Sequence, residues 1–234
     1  MTGTPEVLRE RVEHHAKEAE RLLKSWWLST HVKAQVRWLD ARRHHPAVVD
    51  FANCVRAWGG LVARGQLRSP KEYVGTHLHF RDGTTSLVFR ETLRRAPTLE
   101  PALLVIQFRL AALGSNRWAH AGFRRECVLH TPLFAGFPGF RSKLWADDVT
   151  TGIYRGVYEW DGAEAARAYA TRMVGLLTPF SNADTARFQV VGGLRRDTFL
   201  RDPQASPSDG ADDWWRIERP VEPCNTSRTV PPPR

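Results

Sequence analysis

The sequence predicts an α+β fold for residues 99–203, and three observations support this prediction. The run ALLVIQFRLAAL is continuously apolar and β-branched in its middle, which is typical of a strand covered on both faces. The segments FRSKLWADD and IYRGVYEWD flank the turn residues VTTG and predict two more strands. Helical segments lie between strands, and the resulting order strand–helix–strand–strand–helix–strand is a ferredoxin-like layout.

The remaining elements of this domain follow from caps and breakers. The first strand ends at a Gly-Ser-Asn sequence, in which Ser115 or Asn116 can cap the helix predicted over residues 117–134. The second helix, AEAARAYATRMVGLL, begins after Gly162 and ends before Pro179. The segment ARFQVV then predicts the fourth strand.

The flanking regions differ in character from this domain. Residues 1–98 are basic and predict a helical segment, including a helix over residues 5–27, followed by a β-hairpin at Asp82-Gly83. Residues 204–234 are rich in Ser, Pro, Asp and Gly, so we expect a disordered tail that is dispensable for stability. Only Trp214-Trp215 offers a short piece that can dock on the domain.

Composition places the chain among ordinary globular proteins, since 42% of its 234 residues are hydrophobic and 25% are charged. No run approaches the ~18 apolar residues of a membrane span, and the N-terminus lacks the apolar core of a secretory signal. We therefore expect a cytoplasmic protein. Three widely spaced cysteines argue against a disulfide framework and a structural zinc site. The chain has a net charge of +9, but its basic residues do not form a basic-aromatic recognition motif. We therefore do not expect nucleic acid as a partner.

The segment Gly139–Ala170 contains Gly-Phe-x-Ser-Lys-x-Trp, a Thr-Gly turn, a strand rich in Gly and Tyr, and a helix that begins with Ala and Glu. In these features it resembles the dimeric α+β barrel superfamily, specifically its antibiotic-biosynthesis-monooxygenase-like members and small mono-oxygenases. The resemblance covers residues 100–200 and leaves residues 1–98 unexplained. The matching residues are Gly139, Phe140, Ser142, Lys143, Trp145, Thr151, Gly152, Gly156, Tyr158, Trp160 and Ala163.

The resemblance implies a homodimer joined through the sheet, with helices on one face of each sheet and the partner subunit on the other. It implies a cofactor-independent mono-oxygenase or isomerase that acts on a hydrophobic small molecule, with a non-catalytic dimeric binding module as the alternative. The haem-degrading branch of the superfamily uses a histidine on the second helix to ligate iron. Residues 163–177 contain no histidine, so we predict no haem. The sequence also has no Gly-rich phosphate-binding loop, and we predict no other cofactor.

Three candidate site residues lie on the first helix of the domain. His130 shares a helical stripe with apolar residues and is either a proton shuttle or a hydrogen-bonded core residue. Asn116 and Trp118 open the same helix. In the resembled family Asn and Trp hold an aromatic substrate, whereas a helix cap and a core residue are the simpler interpretations here.

The other candidates are aromatic residues of two strands. Tyr154, Tyr158 and Trp160 share one face of the third strand because side chains alternate, and Trp145 lies on the neighbouring strand. They either line an apolar ligand cavity or form ordinary packing. No metal site is predicted, although His77 and His79 share a strand face. The basic residues of the domain strands are interpreted as surface or dimer-facing charges: Arg109, Arg141, Lys143 and Arg155.

Overall fold

The computed structural model describes residues 46–109, 121–122, 124, 131–177, 181, 185–207 and 213–224. The chain divides into two compact units, Met1–Asp50 and Phe51–Arg234, and almost all described residues belong to the second. The helix predicted over residues 5–27 lies outside the described residues, as does most of the helix predicted over residues 117–134.

Strands dominate the second unit. In chain order they are β1 (Leu67–Arg68), β2 (His77–His79), β3 (Thr85–Arg94), β4 (Pro101–Arg109), β5 (Phe140–Asp148), β6 (Ile153–Asp161) and β7 (Arg187–Gly192). They form one sheet in the order β1-β3-β5-β6-β4-β7, and β2 pairs with β3 beside this path. Every pairing between these strands is antiparallel. In this arrangement neighbouring strands can be joined by a short hairpin as well as by a longer connection.

Among the residues that the structure describes, four α-helices accompany the sheet: α1 (Pro46–Ala63), α2 (Pro132–Ala135), α3 (Ala163–Leu177) and α4 (Arg196–Arg201). Helix α1 begins at Pro46, which suits a first turn because the missing N–H would have no partner there. Helix α3 packs on β4, β6 and β7 and buries Ala166, Tyr169 and Ala170. The predicted α+β class is confirmed by this combination of helices with one antiparallel sheet. In the described part of the chain, no helix has the length and apolarity needed to cross a membrane.

One face of the sheet is covered by segments from both ends of the second unit. Val105, Val157 and Leu144 are directly paired across β4, β6 and β5, so they point to the same side, and all three are fully buried. We call this side the C-terminal face. The residues that pack on it are Tyr73, Leu78, Phe80, Leu194, Phe199, Leu200, Trp214, Trp215, Ile217 and Val221.

The opposite side of the sheet is covered by helices. Leu104, Tyr158 and Lys143 are directly paired across β4, β6 and β5 and therefore share this side, which we call the helical face. The ring of Tyr169 on α3 packs against Tyr158, with their centroids 5.6 Å apart. Each strand of the centre therefore carries two different sets of contacts, one on each side.

The structure does not separate residues 1–98 from the predicted domain at the expected boundary between residues 98 and 99. Strand β3 pairs with β5 from Leu87–Asp147 to Leu93–Ser142, so the predicted hairpin extends the same sheet. The physical reason is that β5 offers a free edge whose backbone groups need partners, and β3 satisfies them. Sequence patterns within each strand carry no information about this long-range pairing.

Residues 213–224 also differ from the predicted disordered tail. Trp214 and Trp215 are only 4% and 2% exposed, and Trp215 stacks on Phe199. Backbone bonds hold this segment to the hairpin, because the N–H of Glu218 donates to His79 and that of Arg81 donates to Arg216. Two tryptophans supply enough apolar area to order a segment whose other residues favour disorder.

The C-terminal face is the one through which the predicted homodimer would be joined. Its central residues, Val105, Val157 and Leu144, are buried within a single chain by the tryptophan segment. The apolarity of these strands on both sides therefore has an explanation within the monomer. The apolarity of the strands on both sides was the observation that supported the homodimer, and it no longer supports it.

We expect Trp215→Ala to lower the free energy of unfolding by about 3–5 kcal/mol, the usual cost of truncating a buried tryptophan. Urea denaturation followed by circular dichroism measures this loss. The control is Cys224→Ala in the same segment, because Cys224 is exposed and its replacement should change stability by less than about 0.5 kcal/mol. Equal stabilities for the two variants would contradict the packing of this segment on the sheet.

Candidate functional site

The helical face carries a concentration of aromatic side chains. Because side chains alternate along a strand, Trp145 of β5 and both Tyr158 and Trp160 of β6 lie on this face. Helix α3 adds Tyr169, whose ring centroid lies 4.8 Å from that of Trp160. Helix α2 adds Phe134, whose centroid lies 5.3 Å from that of Trp145 and 6.4 Å from that of Tyr158. We call this group the aromatic cluster: Phe134, Phe140, Trp145, Tyr158, Trp160 and Tyr169.

Lys143 brings a positive charge into the aromatic cluster. Its Nζ lies 3.0 Å from the ring centroid of Trp145, 4.6 Å from that of Phe134 and 4.8 Å from that of Tyr158. Lys143 is only 6% exposed, so the rings replace most of its water. An ammonium group over aromatic faces gains about 2 kcal/mol when it is desolvated, because the ring quadrupole attracts it.

The sheet register builds this arrangement. Lys143 precedes Trp145 by two residues on β5 and is directly paired with Tyr158 on β6. Strand alternation alone places Lys143 and Trp145 on one side, so the sequence contained a signal that its interpretation as a surface or dimer-facing charge overlooked. Arg155 is likewise buried, at 2% exposure, although the same interpretation applied to it.

Gly156 makes room for the ring of Tyr158. A Cβ atom at this glycine would lie 2.5 Å from Cε2 of Tyr158, closer than real contacts allow. The ring of Tyr158 therefore occupies the space that a side chain at position 156 would fill, next to the directly paired Trp145. This position brings the Tyr158 hydroxyl to 3.4 Å from that of Tyr169. Burial raises the pKa of Tyr169 far above its ordinary value, so this phenol stays neutral.

An ion pair ties Arg124 to this face. Nε and Nη2 of Arg124 donate to the two carboxylate oxygens of Asp147, each over 2.8 Å. The Asp147 side chain is fully buried, and two parallel bonds to one guanidinium satisfy both of its oxygens. Arg124 also lies over the ring of Phe89, 5.4 Å from its centroid. These contacts hold the Arg124 side chain against Asp147 of β5 and Phe89 of β3.

The structure brings together three of the predicted site residues, namely Trp145, Tyr158 and Trp160. Tyr154 lies on the same face of β6 and stacks on Phe108 of β4, with centroids 5.5 Å apart. The predicted residues His130, Asn116 and Trp118 lie outside the described part of the chain, so their roles stay predictions. Within that part, no group of three or more His, Cys, Asp or Glu side chains is placed to hold a metal ion.

No family model and no curated protein matches this sequence. Solved structures similar to it include an uncharacterized ferredoxin-fold protein from Listeria monocytogenes related to antibiotic biosynthesis monooxygenases (11% identity, TM-score 0.34). Two others are a monooxygenase-like protein from Listeria innocua (14%, 0.32) and a heme-degrading enzyme from Listeria monocytogenes (9%, 0.33).

These matches extend over part of the molecule. They cover 48%, 47% and 53% of this chain and 66%, 65% and 95% of the three proteins, respectively. The chain thus spans just under two thirds of the first two proteins. At TM-scores of this size the likeness assigns neither an activity nor a residue role to this chain.

We expect Gly156→Ala to destabilise the protein by about 1–3 kcal/mol, because the added methyl group forces Tyr158 out of its position. The matched control is Gly175→Ala in α3, where nothing lies within 4 Å of the new methyl group. That change should stabilise the helix by roughly 0.5–1 kcal/mol. Urea unfolding measures both effects, and a stabilising Gly156→Ala would contradict the described ring position.

Proposed function

We propose that the aromatic cluster forms the site for a hydrophobic, aromatic small molecule that carries an acidic group. The protein acts on this molecule as a cofactor-independent mono-oxygenase or isomerase. The observation that supports the proposal is the ammonium group of Lys143, held among the rings of Trp145, Phe134 and Tyr158. A fixed positive charge in a water-poor site favours a negative charge that develops beside it.

The chemistry that suits this site begins with loss of a proton from a carbon next to a carbonyl group. The resulting enolate oxygen would be stabilised by the ammonium group of Lys143. The hydroxyl groups of Tyr158 and Tyr169, 3.4 Å apart, supply a second hydrogen-bond donor. His130 is our candidate for the base that accepts the proton, on the basis of the sequence.

Two reactions continue from the enolate. In an isomerase the proton returns to a different carbon, and no further reactant is needed. In an oxygenase the second reactant is dioxygen: a methylene group and O₂ give a carbonyl group and one water molecule, with the substrate carbon oxidised and O₂ reduced. Neither reaction requires a bound cofactor in this site.

A non-catalytic binding module of the same fold is the second candidate, and the ring contacts favour it. Phe134 lies against Trp145, Tyr158 and Phe140, with centroids 5.3, 6.4 and 5.0 Å away. The rings that surround Lys143 thus also pack against one another, as they do in a core. Turnover distinguishes the two candidates.

We expect 2-naphthoate to bind the wild-type protein. Its affinity for the Lys143→Met variant should be about tenfold lower or more, since a hydrogen bond to a charged group contributes roughly 1.5–3 kcal/mol. The neutral analogue 2-naphthamide should bind both proteins within about threefold, because it makes no use of the charge. Calorimetry measures these affinities. The matched control is Lys71→Met, since Lys71 is exposed and should leave both affinities unchanged.

Absence of naphthoate binding, or equal loss in the Lys71 and Lys143 variants, would contradict the proposed site. For hydroxylated analogues that bind, an oxygen electrode and mass spectrometry decide the reaction. Uptake of one O₂ per product supports an oxygenase, and conversion without uptake supports an isomerase. Binding without either supports the non-catalytic module.

A further inference from the structure

A second polar group lies on the C-terminal face, opposite to the aromatic cluster. Arg187, Gln107 and Arg155 are directly paired across β7, β4 and β6, so their side chains stand in a row on one side of the sheet. Arg109 follows Gln107 by two residues and points to the same side. We call these four residues the basic row. It places three guanidinium groups around one amide.

Two guanidinium groups of the basic row stack on rings of the segments that cover this face. The Cζ atom of Arg155 lies 4.0 Å from the centroid of Phe80, and that of Arg187 lies 4.4 Å from the centroid of Trp214. Arg155 also donates to Oδ2 of Asp82 over 2.7 Å and to Oγ of Ser86 over 3.1 Å. These contacts fix the plane of the Arg155 guanidinium.

Three buried polar atoms of the basic row have no hydrogen-bond partner among the described residues. They are Nε of Arg155, Nε of Arg109 and Oε1 of Gln107. Arg155 and Gln107 are 2% and 7% exposed, so bulk water does not satisfy them. Native proteins rarely leave such groups unpaired, so a bound water or a small ligand is expected to satisfy them. Two of the atoms are donors on cations, and the third is an acceptor.

The charge in this region also favours an anion. Burial lowers the pKa of Arg155 to about 10, and the positive charge of Arg187 adds to the shift, while Asp82 opposes it. An anion between Arg155 and Arg187 would reduce the repulsion between them. Arg109 and Arg187 are half-buried, so the row reaches solvent at these two residues.

We propose that the basic row binds a small oxyanion that also carries a hydroxyl group, such as a protonated phosphate or a 2-hydroxy acid. Oxygens of the anion accept from Nε of Arg155 and Nε of Arg109. Its O–H group donates to Oε1 of Gln107. This site is separate from the aromatic cluster, because alternate residues of β6 face opposite sides of the sheet.

Calorimetry at pH 6 with inorganic phosphate tests the proposal, with sulfate as the matched probe. Phosphate at this pH is mostly a monoanion that carries O–H groups, whereas sulfate has the same shape and no proton to donate to Gln107. We expect phosphate to bind and sulfate to bind at least about tenfold more weakly, the effect of one lost hydrogen bond. The same comparison can be made with carboxylates, because lactate carries a hydroxyl group that propionate lacks.

Two variants locate the site. Gln107→Glu places a carboxylate against the anion and should abolish phosphate binding. Because a buried carboxylate can disturb folding, Arg109→Gln at the half-buried end of the row is the second variant. It removes one N–H group from which the anion accepts, and we expect a tenfold loss of affinity, about the contribution of one charge-assisted contact. Arg167→Gln on the exposed side of α3 removes the same charge elsewhere and should bind phosphate like the wild type.

The proposal would be overturned if phosphate at about 10 mM did not bind the wild-type protein, since this concentration is well above the dissociation constant of an ordinary weak site. This is the result expected if a single water molecule bridges Arg155 and Gln107. Equal affinity for sulfate and phosphate, or equal losses in the Arg109 and Arg167 variants, would overturn it as well. Unchanged circular dichroism of each variant is the check on folding.

Discussion

The central strands are apolar on both sides, and the chain must therefore bury two faces of one sheet. Helix α3 and Phe134 cover the helical face, and the segment with Trp214 and Trp215 covers the other. Each Å² of apolar surface removed from water contributes about 25 cal/mol, so two tryptophans offset much of the entropy of ordering their segment. In this chain the tryptophan segment occupies the side where a second subunit was expected.

A sheet that is dry on both sides restricts where charges can lie. Glu91 and Arg196 form a pair 2.9 Å long with both side chains almost fully buried. Asp147 is held by Arg124 over two bonds, and Lys143 lies over three rings. Burying a charge costs several kcal/mol unless nearby groups compensate it. The charged residues of the strands are therefore packed elements of the fold. Lys143 and Arg155, predicted to be surface or dimer-facing charges, are not at the surface of the single chain, because they are only 6% and 2% exposed.

Sequence patterns within one strand predicted which side chains share a side of that strand. The alternation in IYRGVYEWD placed Tyr158 and Trp160 on one side, and the structure has them there in contact with Tyr169. Pairing of β3 with β5 and docking of Trp215 on Phe199 join residues far apart in the chain. Such contacts depend on which surfaces remain uncovered after the strands associate, and no single segment encodes them. The same limit applied to Gln107, whose unsatisfied oxygen becomes visible only in the folded sheet.

Strand β6 carries residues of both proposed sites in strict alternation. Arg155 and Val157 face the C-terminal side, while Gly156 and Tyr158 face the helices. Coupling between two ligands would require a sheet with two distinct arrangements, because a ligand changes another's affinity only through states that both distinguish. The strand is paired with β4 from Ile153 to Asp161 and with β5 from Ile153 to Trp160. Such a strand has little freedom to shift, so the two sites share a scaffold without sharing a mechanism.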